Sequence, residues 1–196
     1  ALLVGMGLSI SGAAFQSLFS DPLATPDTLG VAAGASFGAA LGILLFDSIV
    51  MVQTLSIVFG ILAVGLTYSI SKVKGKSTIL MVVLGGMVTS AFFQALISLI
   101  KYVADPETKL PAITYWLMGG LNSAGYQSLK FGAPAILVGI LVLYCIRWRM
   151  NLLPLTEDEG KSSGVNIYAR RIVTIICATM ITASCVSMCG QVGWVG

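Results

Sequence analysis

The most informative stretch of this chain is residues 12–42, which read GAAFQSLFSDPLATPDTLGVAAGASFGAALG. An apolar run ending at Gln16 is followed by a turn that carries two prolines and two aspartates, and then by a second apolar run. Glycine recurs at every fourth position of this second run, at Gly30, Gly34, Gly38 and Gly42. Glycines at that spacing share one helix face and let another backbone approach closely, as in membrane helix packing. The stretch therefore predicts two packed membrane helices joined by a structured polar turn.

The composition is that of an integral membrane protein. Hydrophobic residues make up 57% of the 196 residues and charged residues only 10%, whereas about a quarter of the residues in soluble domains are charged. The mean hydropathy is +0.95. The apolar runs extend over about 18 to 25 residues and do not alternate with polar positions, which favours transmembrane helices over barrel strands. We predict an all-α, polytopic helical bundle.

Six membrane spans are predicted, over residues 1–19, 29–46, 49–71, 78–103, 127–147 and 169–189. Basic residues gather in two connections that lie on the same side of such a bundle: Lys72, Lys74, Lys76, Arg147, Arg149, Lys161, Arg170 and Arg171. By the positive-inside rule this side is cytoplasmic, and the 20–28 turn lies there too. Since the chain starts within an apolar run at Ala1, we expect a piece of a longer protein.

The connection over residues 104–126 is long for so apolar a chain and carries Tyr115, Trp116 and Tyr126. Aromatic residues of this kind settle at the membrane interface. An ordinary aromatic belt and a docking surface for an external partner both fit this pattern, and both alternatives remain open.

The segment 149–168 is the one sizeable polar stretch, and we predict that it forms a short helix on the cytoplasmic face. Thr156 can cap a short helix with Glu159 three residues later, and Gly164 can end it. A helix cap, a glycine that ends the helix and the leucines that precede it favour a partner-binding helix over a merely solvated loop. The candidate contact residues are Leu152, Leu153, Pro154, Leu155, Glu157, Glu159 and Gly164.

Uncharged polar side chains are scattered through the predicted spans. In lipid such groups usually bond to a neighbouring helix. The alternative is a pathway lining that offers weak contacts to a large polar solute, and the best stripe for it is Ser90, Gln94 and Ser98, each one helical turn apart.

Several kinds of chemistry lack support in the sequence. The chain has no histidine, no acidic residue well inside a predicted span and no P-loop motif, so we expect neither an intramembrane proton relay nor nucleotide hydrolysis by this chain. Cys185, Met188 and Cys189 have a spacing that could hold Cu(I), but such residues in apolar helices are more often packing residues. We predict no catalytic residues, no metal and no cofactor.

Four blocks of the sequence, in order, resemble the FecCD-type permeases of ABC importers for iron-siderophore, haem and cobalamin complexes. The family pattern Gln-x-x-x-x-Asn-Pro-Leu-Ala-x-Pro-x-x-Leu-Gly is similar to residues 16–30, with Asp21 in place of Asn. The other blocks are Gly86 with the polar helix through Ser98, the run ITYWLMGGL over residues 113–121, and GQVGWVG over residues 190–196. The block over residues 190–196 resembles the family pattern Gly-Pro-Ile-Gly-Phe-Val-Gly.

The resemblance implies a single permease domain over residues 1–196, holding about six of roughly ten spans. It places the 149–168 segment among the family's cytoplasmic coupling helices, and Ser77 and Thr78 near its cytoplasmic gate. It further implies a multi-pass protein of the bacterial inner membrane, surrounded by the lipid bilayer. The implied partners are a second permease subunit, two ABC ATPases that hydrolyse ATP and an extracytoplasmic substrate-binding protein, with no nucleic acid.

Two other functions are considered beside an importer permease. A gradient-driven secondary transporter would be supported by midplane ionisable residues, which the predicted spans lack. A membrane scaffold that transports nothing is compatible with the small-residue faces alone.

Overall fold

The computed structural model describes residues 1–19, 21, 24–46, 48–71, 79–121, 125–150 and 167–192. Across these residues the chain is helical, with no strand. The helices are α1 (Leu2–Phe19), α2 (Val31–Leu45), α3 (Ile49–Ser71), α4 (Ile79–Val103), α5 (Lys109–Met118), α6 (Tyr126–Met150) and α7 (Ile167–Cys189), and a short 3-10 turn (Asp27–Leu29) precedes α2.

Five of these helices are long and apolar enough to cross a membrane: α1, α3, α4, α6 and α7. Helix α2 has 15 residues, which gives about 22 Å at 1.5 Å per residue, less than the roughly 30 Å of a hydrocarbon core. The predicted span over 29–46 is therefore shorter than expected, because the chain enters it through the 3-10 turn. The predicted all-α membrane bundle is confirmed, with five long helices and one short one in place of six full spans.

Helix α7 is the centre of the bundle. Every residue from Ile181 to Gly190 is buried, and α7 packs against α1, α2, α3 and α6. Glycines on the neighbouring helices make room for it: a Cβ atom at Gly7 of α1 would lie 3.1 Å from Ile181, and one at Gly139 of α6 only 2.5 Å from the same side chain. Close packing of this kind supplies the attraction between helices that lipid itself does not.

Helices α2 and α3 form an antiparallel hairpin along a seam of glycines. A Cβ atom at Gly34 would lie 2.6 Å from the carbonyl oxygen of Phe59, and one at Gly42 would lie 2.7 Å from the Cα atom of Val52. At Gly38 an added Cβ atom would overlap the carbonyl oxygen of Leu55. These three glycines therefore face the backbone of α3 at distances that a larger residue could not keep.

Helix α5 lies within the 104–126 connection, where the sequence indicates aromatic residues but no helix. Asp105 accepts hydrogen bonds from the hydroxyl and the backbone N–H of Thr108 just before α5 begins, and the hydroxyl bond is the main reason that the pKa of Asp105 lies below its usual range. Ile113 is fully buried against Ala40, Ile100 and Ala104. Helix α5 is thus fixed to α2 and α4 at one end of the bundle.

Candidate functional site

The polar stripe on α4 lies at the surface of the described bundle. Gln94 and Ser98 are exposed and Ser90 is half-buried. The Ser98 hydroxyl donates to the carbonyl oxygen of Gln94 at 3.0 Å. Because this bond lies within α4, it does not connect the stripe to a neighbouring helix. Gln94, which is exposed, does not connect it to one either. Large apolar residues flank the stripe on the same exposed side of α4: Met87, Val88, Phe92 and Leu99.

The hydroxyl groups of α7 are placed differently from those of α4. Thr174, Thr179, Thr182 and Ser184 are all buried. Thr182 donates to the carbonyl oxygen of Ala178 and lies 3.1 Å from the Ser11 hydroxyl of α1. These side chains are therefore part of the packing around α7, and a solute that moved along the outer face of α4 would not meet them.

The polar turn before α2 packs against the beginning of the α4 stripe. A Cβ atom at Gly86 would overlap the carbonyl oxygen of Thr28, so the bare glycine backbone is what allows the turn to lie there. Thr67 of α3 donates its hydroxyl to the carbonyl oxygen of Leu29 at 2.9 Å. Leu29 is buried, and a buried backbone carbonyl outside a regular helix needs such a partner.

The turn is also braced from within. The backbone N–H of Thr25 donates to the hydroxyl of Thr28, and the N–H of Thr28 donates to the hydroxyl of Thr25. Gly30 has a φ of 76°, a left-handed conformation that glycine adopts without steric cost. A Cβ atom at Gly30 would lie 3.3 Å from the Ser90 hydroxyl. Gly30 therefore faces α4, unlike the other three glycines of the predicted seam.

The third and fourth sequence blocks meet at the opposite end of the bundle. The backbone N–H of Gly120 donates to the carbonyl oxygen of Cys189 at 2.7 Å. Gly119 and Gly190 both have positive φ, at 66° and 75°, and a Cβ atom at Gly190 would overlap the carbonyl oxygen of Trp116. The end of α5 is thus joined to the end of α7 by close backbone contact.

Several predicted functional residues lie outside the described part of the chain. These are the gate candidates Ser77 and Thr78 and the coupling candidates Leu152, Leu153, Pro154, Leu155, Glu157, Glu159 and Gly164. The boundaries of the predicted 149–168 segment change slightly, because α6 continues to Met150 and α7 begins at Ile167.

In the described ranges, no three side chains of the metal-ligating types come together. Cys177, Cys185 and Cys189 are buried among the core residues, where Cys185 contacts the α1 backbone at Val4. The structure places these cysteines in the interior packing of α7.

Sequence reasoning missed the contacts that join the blocks in pairs. No pattern in the sequence indicates a role for Thr67 or a contact between Gly86 and Thr28. The available signal was the Gly85-Gly86 pair in the middle of an otherwise apolar run, since a helical glycine costs about 1 kcal/mol relative to alanine unless close packing requires it.

Comparison with known proteins places the chain among membrane permeases. It is 37% identical to a molybdate import system permease protein of Haemophilus influenzae, over 100% of this chain and 58% of the relative. It is 36% identical to an iron chelatin transport system permease protein of Helicobacter pylori, over 100% of this chain and 59% of that protein.

A solved structure of a metal-chelate type ABC transporter in an inward-facing conformation has the same fold, with a TM-score of 0.89 and 36% identity over 100% of this chain and 63% of that one. The chain therefore spans less than two thirds of the length of these relatives. The family model of the FecCD transport family matches residues 1–196. This chain belongs to the FecCD transport family.

Proposed function

We propose that the protein containing this chain is the membrane permease subunit of an ABC importer that carries an iron-siderophore or a related metal chelate, such as haem or cobalamin, into the cytoplasm. Support comes from the family and from relatives whose names place them in an import system and a transport system. The observation that carries the proposal is the exposed stripe of α4, where Gln94 and Ser98 offer uncharged polar contacts beside large apolar side chains.

Such a surface suits a bulky solute that must be held weakly. Within the described part of α4, the one charged side chain is Lys101, close to the end of the helix. A wall without fixed charge gives no strong site for a small ion, whereas polar and apolar groups together can contact a chelate in many orientations. The relatives differ in the substrates their names give, molybdate and iron chelatin, so the chelate class is the part of the proposal that needs the sharpest test.

The mechanism proposed for this subunit includes no bond chemistry. Two separate ABC ATPases would bind the cytoplasmic 149–168 segment, and a second permease subunit would complete the pathway along α4. ATP-driven closure would bias the permease between inward-open and outward-open states, and the glycine-packed helices would move as rigid units. An extracytoplasmic binding protein would deliver the substrate. The location proposed is the bacterial inner membrane.

The test is uptake by the full-length permease reconstituted in liposomes with its partner ATPase and binding protein. We expect ATP-dependent accumulation of a radiolabelled ferric siderophore, cobalamin or haem, and no accumulation with an ATPase variant that cannot hydrolyse ATP. Accumulation of molybdate alone would contradict the chelate class while leaving the importer intact. Uptake that continues without ATP and stops when an ion gradient is collapsed would identify a secondary transporter instead.

A further inference from the structure

One end of α6 carries a cation held between aromatic side chains on the outside of the bundle. The guanidinium carbon of Arg147 lies 4.0 Å from the ring centroid of Tyr144 and 5.5 Å from that of Trp148. All three side chains are exposed, Tyr144 to 61% and Trp148 to 78%. Stacking on a ring occupies the face of a guanidinium and leaves its N–H groups at the edge free to bind an oxyanion.

The same side of α6 continues as an apolar surface. Leu137, Val138 and Leu141 are each more than half exposed, and they lie one to three turns before the Arg147 cluster along the helix. Leu137, Leu141, Tyr144 and Trp148 follow the three- and four-residue spacing of one helix face. An apolar face that ends in an aromatic and basic group matches the two parts of a phospholipid, its acyl chains and its headgroup.

The charge of this end favours an anionic headgroup. Helices α6 and α7 pack antiparallel, with Gly132 facing Met188 and Gly139 facing Ile181, so the same register brings Arg170 level with the end of α6. The basic residues of this end place it on the cytoplasmic side, where the membrane surface is negative. The opposite end of α6 carries Lys130, which is exposed about 25 Å away along the helix at 1.5 Å per residue.

We propose that Arg147, Tyr144 and Trp148 form a binding site for the phosphate headgroup of an anionic phospholipid in the cytoplasmic leaflet. The acyl chains lie along Leu137, Val138 and Leu141. The site fixes the end of α6 immediately before the segment that leads to α7. Binding itself does not depend on which substrate the permease carries.

Trp148 is a built-in reporter for this site. The full-length permease is placed in lipid nanodiscs that contain either brominated phosphatidylglycerol or brominated phosphatidylcholine at equal mole fraction. The Trp148 signal is the difference between the fluorescence of the wild type and that of Trp148→Phe. We expect brominated phosphatidylglycerol to quench this signal at about five-fold lower mole fraction, the preference that one basic residue gives near an anionic surface.

Two substitutions separate the site from general surface charge. Arg147→Gln should abolish the preference for phosphatidylglycerol, while the matched variant Lys130→Gln, at the other end of the same helix, should retain it. Equal quenching of the wild type by both lipids would overturn the proposal, as would a preference that survives Arg147→Gln. Absence of quenching by either lipid would also overturn it, since another part of the protein would then cover this face.

Discussion

At the scale of single residues, the fold depends on a few positions where no side chain fits. Gly86 is the clearest example, because the carbonyl oxygen of Thr28 occupies the place that its Cβ atom would take. Gly65 of α3 is a helical glycine where an added Cβ would have no atom within 4 Å apart from the adjoining backbone of α3 itself. The two positions read alike in the sequence, as glycines inside apolar helices, and differ only in what lies beside them.

This difference predicts opposite effects of the same substitution. Gly86→Ala forces the turn away from α4 and should lower the free energy of unfolding by about 1–3 kcal/mol, the usual cost of overpacking. Gly65→Ala should raise the free energy of unfolding by up to about 1 kcal/mol, since alanine favours a helix more than glycine does. Denaturant unfolding of the full-length permease in detergent measures both. Equal effects at the two positions would contradict the close contact between Gly86 and Thr28.

At the scale of elements, the beginning of α2 is held by a hydrogen bond from another helix. Thr67 belongs to α3 but donates to Leu29, just before α2 begins. Thr54 of the same helix is exposed and donates to its own helix, at the carbonyl oxygen of Val50. The two threonines therefore form a matched pair for testing how the turn is held.

Replacing Thr67 by valine removes the only hydroxyl donor recorded at Leu29 in the described structure. We expect Thr67→Val to lower the free energy of unfolding by about 1–2 kcal/mol, because a buried carbonyl group loses its partner. Thr54→Val should change it by less than about 0.5 kcal/mol, as is usual at exposed positions. Thermal unfolding in the same detergent compares the two, and a Thr54→Val effect as large as that of Thr67→Val would argue against the contact.

The stripe of α4 makes a second prediction at this scale. Ser98 and Ser69 are both exposed serines that donate to a carbonyl oxygen four residues earlier in their own helix. If α4 lines the pathway, Ser98→Leu should slow ATP-dependent uptake about ten-fold, a change of roughly 1.4 kcal/mol in the barrier, with unfolding unchanged. Ser69→Leu on α3 should leave uptake as it was. Normal uptake by Ser98→Leu would remove α4 from the proposed pathway.

At the scale of the whole molecule, the sequence blocks that carry the family resemblance meet in pairs. The first block contacts the second where the turn meets Gly86, and the third contacts the fourth where the carbonyl oxygen of Trp116 meets Gly190. The two contacts lie at opposite ends of the bundle, and α4 and α7 extend between them. Each end of the bundle therefore has its own close backbone contact.

The proposed coupling to an ATPase is tested by association. Replacing Leu155 and Glu159 together by alanine should abolish co-purification of the ATPase with the full-length permease, because the apolar and acidic contacts proposed for the 149–168 segment are lost. Glu107→Ala should have no effect, since Glu107 is exposed beside α5 at the opposite end of the bundle. Retention of the ATPase by the double variant would show that coupling uses another surface.

The amino-acid sequence by itself determined the class of protein, the positions of the apolar helices and the family. Length and hydropathy suffice for the class and the helices, because a lipid environment requires long apolar helices with internally bonded backbones. The family follows instead from the ordered sequence blocks, of which residues 16–30 are the first. The sequence did not reveal helix α5, whose 10 residues are too short and mixed for a span, nor the shortening of α2.

Only the tertiary structure decided which helices form the interior. The 18-residue stretches that qualify α6 and α7 as membrane helices have the same mean hydropathy, 2.1. Yet 22% of the stretch in α6 is buried, against 72% of the stretch in α7. Hydropathy cannot distinguish them, because a side chain that faces lipid is as apolar as one that faces another helix. The glycine contacts of Gly86 and Gly190 were likewise beyond sequence reasoning, since they join residues that are far apart in the chain. The stretch over 12–42 predicted that two helices pack, and the structure showed that its turn meets α4.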